Sequence, residues 1–175
     1  MINPFKKTYT TYELRIFNFL SGIRLFKNLT FKEMSYFLPF MHERNFQKDE
    51  VVFFRDDPSH ALYLLKRGEV LLNIDVNDSF ESLTSVKGGN VLGESCLLEN
   101  SKRQLNAIVI SESAQFYVIP QDNIFSIFEN HARVKTKMLK ELAMMYNEYN
   151  SNLFKAYRSS FGFFHLSQIY GKERP

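Results

Sequence analysis

The sequence predicts an α+β chain, mainly β, with helices at both ends of a sandwich or jelly-roll barrel. Three observations lead there. Residues 43–119 break into short runs of Val, Ile, Leu, Phe and Tyr, separated at close intervals by Gly, Pro, Asp, Asn and Ser. Both flanks instead carry apolar residues at steps of three and four. The density of the short strands argues against a parallel sheet, and 175 residues suit one domain, or one domain with a helical extension.

In chain order, Leu14, Phe17 and Leu20 or Ser21 form a helical stripe that Arg24 continues. The segment 28–30 breaks it. Thr30 then caps a second helix with Glu33 three residues on, the spacing of a capping box, and that helix is expected to reach about Leu38 and stop before Pro39. The β-rich part opens with Val51-Val52-Phe53-Phe54, which ends in the turn Asp56-Asp57-Pro58. Two further runs, 61–66 and 69–76, flank Arg67-Gly68, a hairpin signal. Run 80–86 leads into Gly88-Gly89-Asn90, and runs 104–110 and 114–119 flank Ser111-Glu112-Ser113. Pro120 suits the first position of a helix over 121–129. From 132 to 160 there is no Pro or Gly, and Met138, Leu142, Met145 and Tyr149 form a seam. Such a seam serves a core-facing helix or a helix paired with its copy in a homodimer. Gly162 ends it, and a short apolar segment, 163–170, follows. The expected organisation is N-terminal helices over 1–42, a β-roll over 43–119 and C-terminal helices over 120–175, one structural domain in all.

Composition narrows the function classes. A formal charge of +3 is too weak to mark a nucleic-acid binder. One cysteine allows no internal disulfide, in keeping with a reducing, cytoplasmic setting. No apolar run approaches the roughly 18 residues of a membrane span, and the N-terminus lacks the apolar core of a signal peptide. The 18 Phe residues are expected to be mostly core. His42, His60, His131 and His165 are scattered, without metal-ligand spacing or a nucleophilic arrangement, so no enzyme and no cofactor is expected.

The chemistry concentrates in Gly89-Asn90-Val91-Leu92-Gly93-Glu94-Ser95-Cys96-Leu97-Leu98, followed by Lys102-Arg103. Gly93 permits a turn and close approach of another group. Glu94 to Leu98 can form one helical turn whose N–H groups face an anion. Arg103 supplies a guanidinium for a phosphate, and Glu94 can accept hydrogen bonds from sugar hydroxyls. Together these meet the needs of a phosphate joined to a ribose.

The pair Gly93-Glu94, the apolar Leu97-Leu98 and Arg103 at this spacing resemble the phosphate-binding cassette of the cyclic nucleotide-binding domain family. Glu50 to Phe53 with Asp56-Asp57-Pro58, the segment Ala61 to Val70 with Gly68, and the Gly-rich entry to the cassette are similar to the family in the same order. The resemblance covers roughly residues 23–150. It implies a double-stranded β-helix, or jelly-roll β-roll, with flanking N- and C-terminal helices.

It also implies cAMP or cGMP as ligand. Arg103 would pair with the cyclic phosphate and Glu94 with the ribose 2′-hydroxyl. N–H groups from Gly93, Ser95 and Cys96 and at Gln104 would complete the site, with Tyr146 or Tyr149 over the base. The chain departs from the family pattern at Gln104 and Leu105, where small residues are usual. Gln104, if it points inward, either donates to the phosphate or fills the site. Two turn glycines of the family are replaced by Asp49 and Asp56, residues that tolerate left-handed backbone. The expected function is a stand-alone cyclic nucleotide sensor that signals through its C-terminal helices. The alternative is a fold kept without nucleotide as an interaction or dimerisation module. Expected partners are the nucleotide, a second copy through the long helix, and an unidentified protein; Phe161, Phe163 and Phe164 would dock that protein or the second subunit, or else pack on their own barrel. Neither DNA nor a membrane is expected, since no room remains after the long helix for a DNA-reading module.

Overall fold

Two helix starts show how local sequence sets this architecture. In the computed structural model, which describes residues 8–76 and 79–161, Thr10 and Thr30 each close a complete capping box. The Thr hydroxyls accept from the N–H of Glu13 and Glu33, and the two carboxylates accept at 2.7 Å from the Thr N–H groups. Helix α1 (Thr11–Gly22) buries Ile16, Phe17 and Leu20. Leu14, expected on that face, is 38% exposed; Ile16, two positions on, takes the buried place beside Phe17 and Leu20. Helix α2 (Phe31–Met34) starts where Thr30 predicts but ends four positions short of Leu38. The chain tightens instead, with the Phe37 N–H on the Met34 carbonyl, and Leu38–Phe40 forms a 3-10 turn containing Pro39. Pro39 has no N–H to continue the α ladder, and the tight turn lets Phe37 pack edge-on against Phe26 at 5.1 Å.

The strands are β1 (His42–Gln47), β2 (Val51–Phe53), β3 (Ala61–Arg67), β4 (Glu69–Val76), β5 (Ser79–Lys87), β6 (Asn90–Leu92), β7 (Asn106–Val109) and β8 (Ser113–Pro120). They form two antiparallel four-stranded sheets, ordered β1-β8-β3-β6 and β2-β7-β4-β5. This is the expected mainly-β jelly roll. Val52, Leu65, Val70, Leu92, Val109 and Phe116 belong to its buried core.

The turn at Arg67-Gly68 is not a hairpin. Strand β3 pairs with β6 and β8 in one sheet, and β4 pairs with β5 and β7 in the other, so the chain changes sheets there. Gly68 is required at that corner: its φ is +96°, and a Cβ would lie 2.6 Å from the Ser113 carbonyl oxygen. The segment at 111–113 likewise carries the chain between sheets, from β7 to β8. The local hairpin is β4–β5, where Val76 pairs with Ser79. Asp49 and Asp56 adopt φ of 66° and 65°, as their replacement of turn glycines predicts.

Pro120 ends β8 and is the N-cap, not the first residue, of α3 (Gln121–Asn130). Helix α4 (Ala132–Phe161) follows. The chain divides into two compact units, residues 1–139 and 140–175. Of the seam residues, Met138 in the first unit and Leu142 and Met145 in the second are buried. In the second unit, Tyr146 and Tyr149 lie on α4 with ring centroids 6.3 Å apart, and Tyr149 is half-exposed. Phe161 closes α4, while Phe163, Phe164 and the segment 163–170 lie outside the described residues. No helix among the described residues is long and apolar enough to cross a membrane.

Candidate functional site

Strand β6 runs into Gly93, which turns the chain with φ of 72° and caps a 3-10 turn, Glu94–Leu97. An added Cβ at Gly93 would collide with the Arg103 guanidinium, which would have to move aside. The expected glycine, helical turn and arginine therefore come together in space.

Arg103 is 3% exposed. Its Nη1 donates to the Gly93 carbonyl at 3.0 Å and its Nη2 to the Ala61 carbonyl at 2.7 Å. The guanidinium carbon lies 4.4 Å from the Phe53 ring centroid and 5.5 Å from that of Tyr63, a cation–π arrangement. Its buried Nε has no hydrogen-bond partner. Among the described residues no carboxylate bonds to it, so Glu94 and Arg103 are not the simple ion pair that adjacent opposite charges suggest. Burial lowers the Arg103 pKa, opposed by Cys96, Tyr63, Glu94 and Asp57 around it. The group stays cationic all the same, because guanidinium is not deprotonated in proteins.

Glu94 is partly buried. Burial raises its carboxyl pKa above 4.5; its own backbone N–H and the nearby Arg103 charge pull the other way without prevailing. Cys96 is fully buried. Burial pushes its thiol up to about 12, so it is a neutral packing group. Its N–H, expected among the phosphate donors, already donates to the Gly93 carbonyl at 3.1 Å. Gln104 is exposed, with its amide 3.5 Å from the Lys102 carbonyl, and it does not fill the site. Leu105 is half-buried, outside the core.

Several residues that sequence reasoning missed complete the frame. Ser59, 1% exposed, places its Oγ 2.9 Å from Ser95 Oγ. The Ser101 hydroxyl donates to the Ser95 carbonyl at 2.6 Å. Gln121 at the start of α3 donates to the carbonyls of Cys96 and Leu98. The backbone of Arg103 is laced to the β2–β3 loop: its N–H donates to the Asp57 carbonyl, and its carbonyl accepts from the Asp56 N–H. Apart from the Ser101–Ser95 bond, six residues apart, these contacts bridge 23 to 47 residues of sequence and leave no local signal. Among the described residues, no three of His, Cys, Asp or Glu come together as a metal-ligand set.

The roll thus sets a glycine-led turn against a buried arginine. The family model for the cyclic nucleotide-binding domain matches residues 43–131, and the chain belongs to that family. It is 30% identical over 95 residues to a cAMP-dependent protein kinase regulatory subunit from Hypocrea atroviridis, covering 54% of this chain and 20% of that protein. It is 24% identical over 104 residues to the cyclic AMP receptor protein of Thermus thermophilus, covering 59% of this chain and 48% of that one. The chain thus spans about a fifth and about half the length of these relatives. Among solved structures, the N-terminal domain of a transcriptional regulator from Streptomyces coelicolor superposes with a TM-score of 0.67 at 19% identity, covering 77% of this chain and 94% of that domain. That likeness concerns the fold.

Proposed function

We propose that this chain is a regulatory module that binds a cyclic nucleotide, cAMP or cGMP, in its β-roll and passes occupancy to its C-terminal helices. The observation that carries the reading is Arg103: a buried cation held by two neutral carbonyls, with one donor unmatched and no carboxylate bonded to it. A cyclic phosphate would give that guanidinium an anionic acceptor, and charge-assisted bonds are shorter and roughly twice as strong as neutral ones. Glu94 accepts from the ribose 2′-hydroxyl. Gly93, Ser95 and Gln104 contribute N–H groups around the phosphate, and Cys96 contributes packing. Binding selects the arrangement in which the Glu94–Leu97 turn closes on the phosphate, and α3 and the start of α4 follow as a population shift.

Calorimetry with cAMP and with cGMP tests this. Binding of one of them is expected, and Arg103→Ala should weaken it by about 1.5–3 kcal/mol, the range for a hydrogen bond to a charged group. A folded sample that binds neither nucleotide at millimolar concentration refutes the reading and leaves the nucleotide-free interaction module in its place. An unchanged affinity in Arg103→Ala removes that residue from the site.

A further inference from the structure

The Glu94–Leu97 turn is held by side chains from both sides. At its entry, Arg103 Nη1 holds the Gly93 carbonyl. At its exit, the Gln121 side-chain amide donates to the Cys96 carbonyl at 2.8 Å and the Leu98 carbonyl at 3.2 Å. Gln121 is the first residue of α3, and its own N–H donates to the His60 carbonyl at 2.8 Å. One amide with two acceptors fixes rotation as well as distance, so the turn cannot swing without either breaking both bonds or carrying the α3 N-terminus along. The rest of α3 is anchored by buried Ile124, Ile127 and Phe128, which makes its first turn the natural point of yield.

We propose that Gln121 is a positioning residue that couples the phosphate-binding turn to α3: the nucleotide alters the tie at Gly93, and Gln121 delivers the resulting movement to the start of the helix. This rests on the nucleotide-site reading above. It assigns the transmission to a polar clamp and predicts that its donor chemistry, not its bulk, matters.

Hydrogen exchange of the full chain, followed in peptides covering 94–98 and 121–130 with and without saturating cAMP or cGMP, provides the test. Gln121→Met keeps the length and loses the donors; Gln121→Lys keeps a donor. In the unaltered protein, nucleotide should slow exchange in both peptides by roughly threefold or more. In Gln121→Met the 94–98 peptide should still respond while the 121–130 response is lost, and Gln121→Lys should restore it. A full 121–130 response in Gln121→Met, or the same loss in Gln121→Lys, overturns the proposal. Should the unaltered protein bind neither nucleotide, the nucleotide reading fails on its own. The clamp is then judged without ligand: Gln121→Met should speed exchange in both peptides together, and unchanged exchange overturns it.

Discussion

Gly93→Ala probes the most crowded point of the site. Two costs add there. An L-residue in left-handed backbone costs about 1–2 kcal/mol, and Gly93 has φ of 72°. The new Cβ would also collide with Arg103 and lie 3.3 Å from the Ala61 carbonyl oxygen. The guanidinium must then leave one or both of its carbonyl acceptors, and a buried polar group left unpaired costs about 1–3 kcal/mol more. A combined loss of about 3 kcal/mol lowers Tm by about 6–12 °C, at about 2–4 °C per kcal/mol for a chain of this size. Gly89→Ala is the matched control: its φ is +91°, yet nothing lies within 4 Å of the added Cβ. It carries the backbone cost alone, about 1–2 kcal/mol. Thermal unfolding of both variants by circular dichroism, with urea unfolding as a second readout, gives the difference. A Gly93→Ala protein no less stable than Gly89→Ala would refute the close approach of Arg103 to Gly93.

Three further outcomes are expected. The Lys137 ammonium donates to Glu33 at 2.7 Å; burial raises the Glu33 pKa, but bonds from Lys137 and Thr30 outweigh it and hold the carboxyl below 4.5. Its stabilisation is therefore present above that value and lost as pH falls through the lower folded pKa, so Glu33→Gln should flatten the acid loss of stability in urea unfolding; an unaltered acid profile contradicts this. Glu94 has the opposite sign. Above 4.5 the unfolded chain has released a proton that the folded chain still holds, so this group's contribution falls as pH rises through its raised folded pKa. Glu94→Gln should remove that decline and raise the neutral-pH stability of the empty protein while weakening nucleotide binding; a steeper decline would contradict the assignment. Cys96, buried with its thiol near 12, should resist iodoacetamide at mildly alkaline pH until denaturant is added, and rapid labelling of the native protein would show that the turn opens readily.

How much of this was legible follows from how local each signal is. Thr30 and Glu33 sit three residues apart and fix a helix start from sequence alone; Thr10 and Glu13 carry the same pattern and could have been read the same way. Asp49 and Asp56 were readable because few residue types accept positive φ. The cassette was readable because its glycine, carboxylate and arginine lie within eleven positions. Gly68 misled because a glycine between two β runs has the same appearance at a hairpin and at a change of sheet; the partners that decide, β6 and β8, come far later in the chain. Strand β1 gave no apolar alternation, since five of its six residues are exposed and its place depends on pairing with β8. Ser59, Gln121 and the carbonyl of Ala61 act across 25 to 42 residues, where spacing carries no information.

The proposed function requires Arg103 to exchange its carbonyl acceptors for a cyclic phosphate. A crystal structure of the protein grown with saturating cAMP or cGMP tests it most directly. A nucleotide is expected within the roll, its phosphate hydrogen-bonded to Arg103 and its ribose hydroxyl to Glu94. An Arg103 still seated on the Gly93 and Ala61 carbonyls, with the nucleotide absent or bound elsewhere, would contradict it.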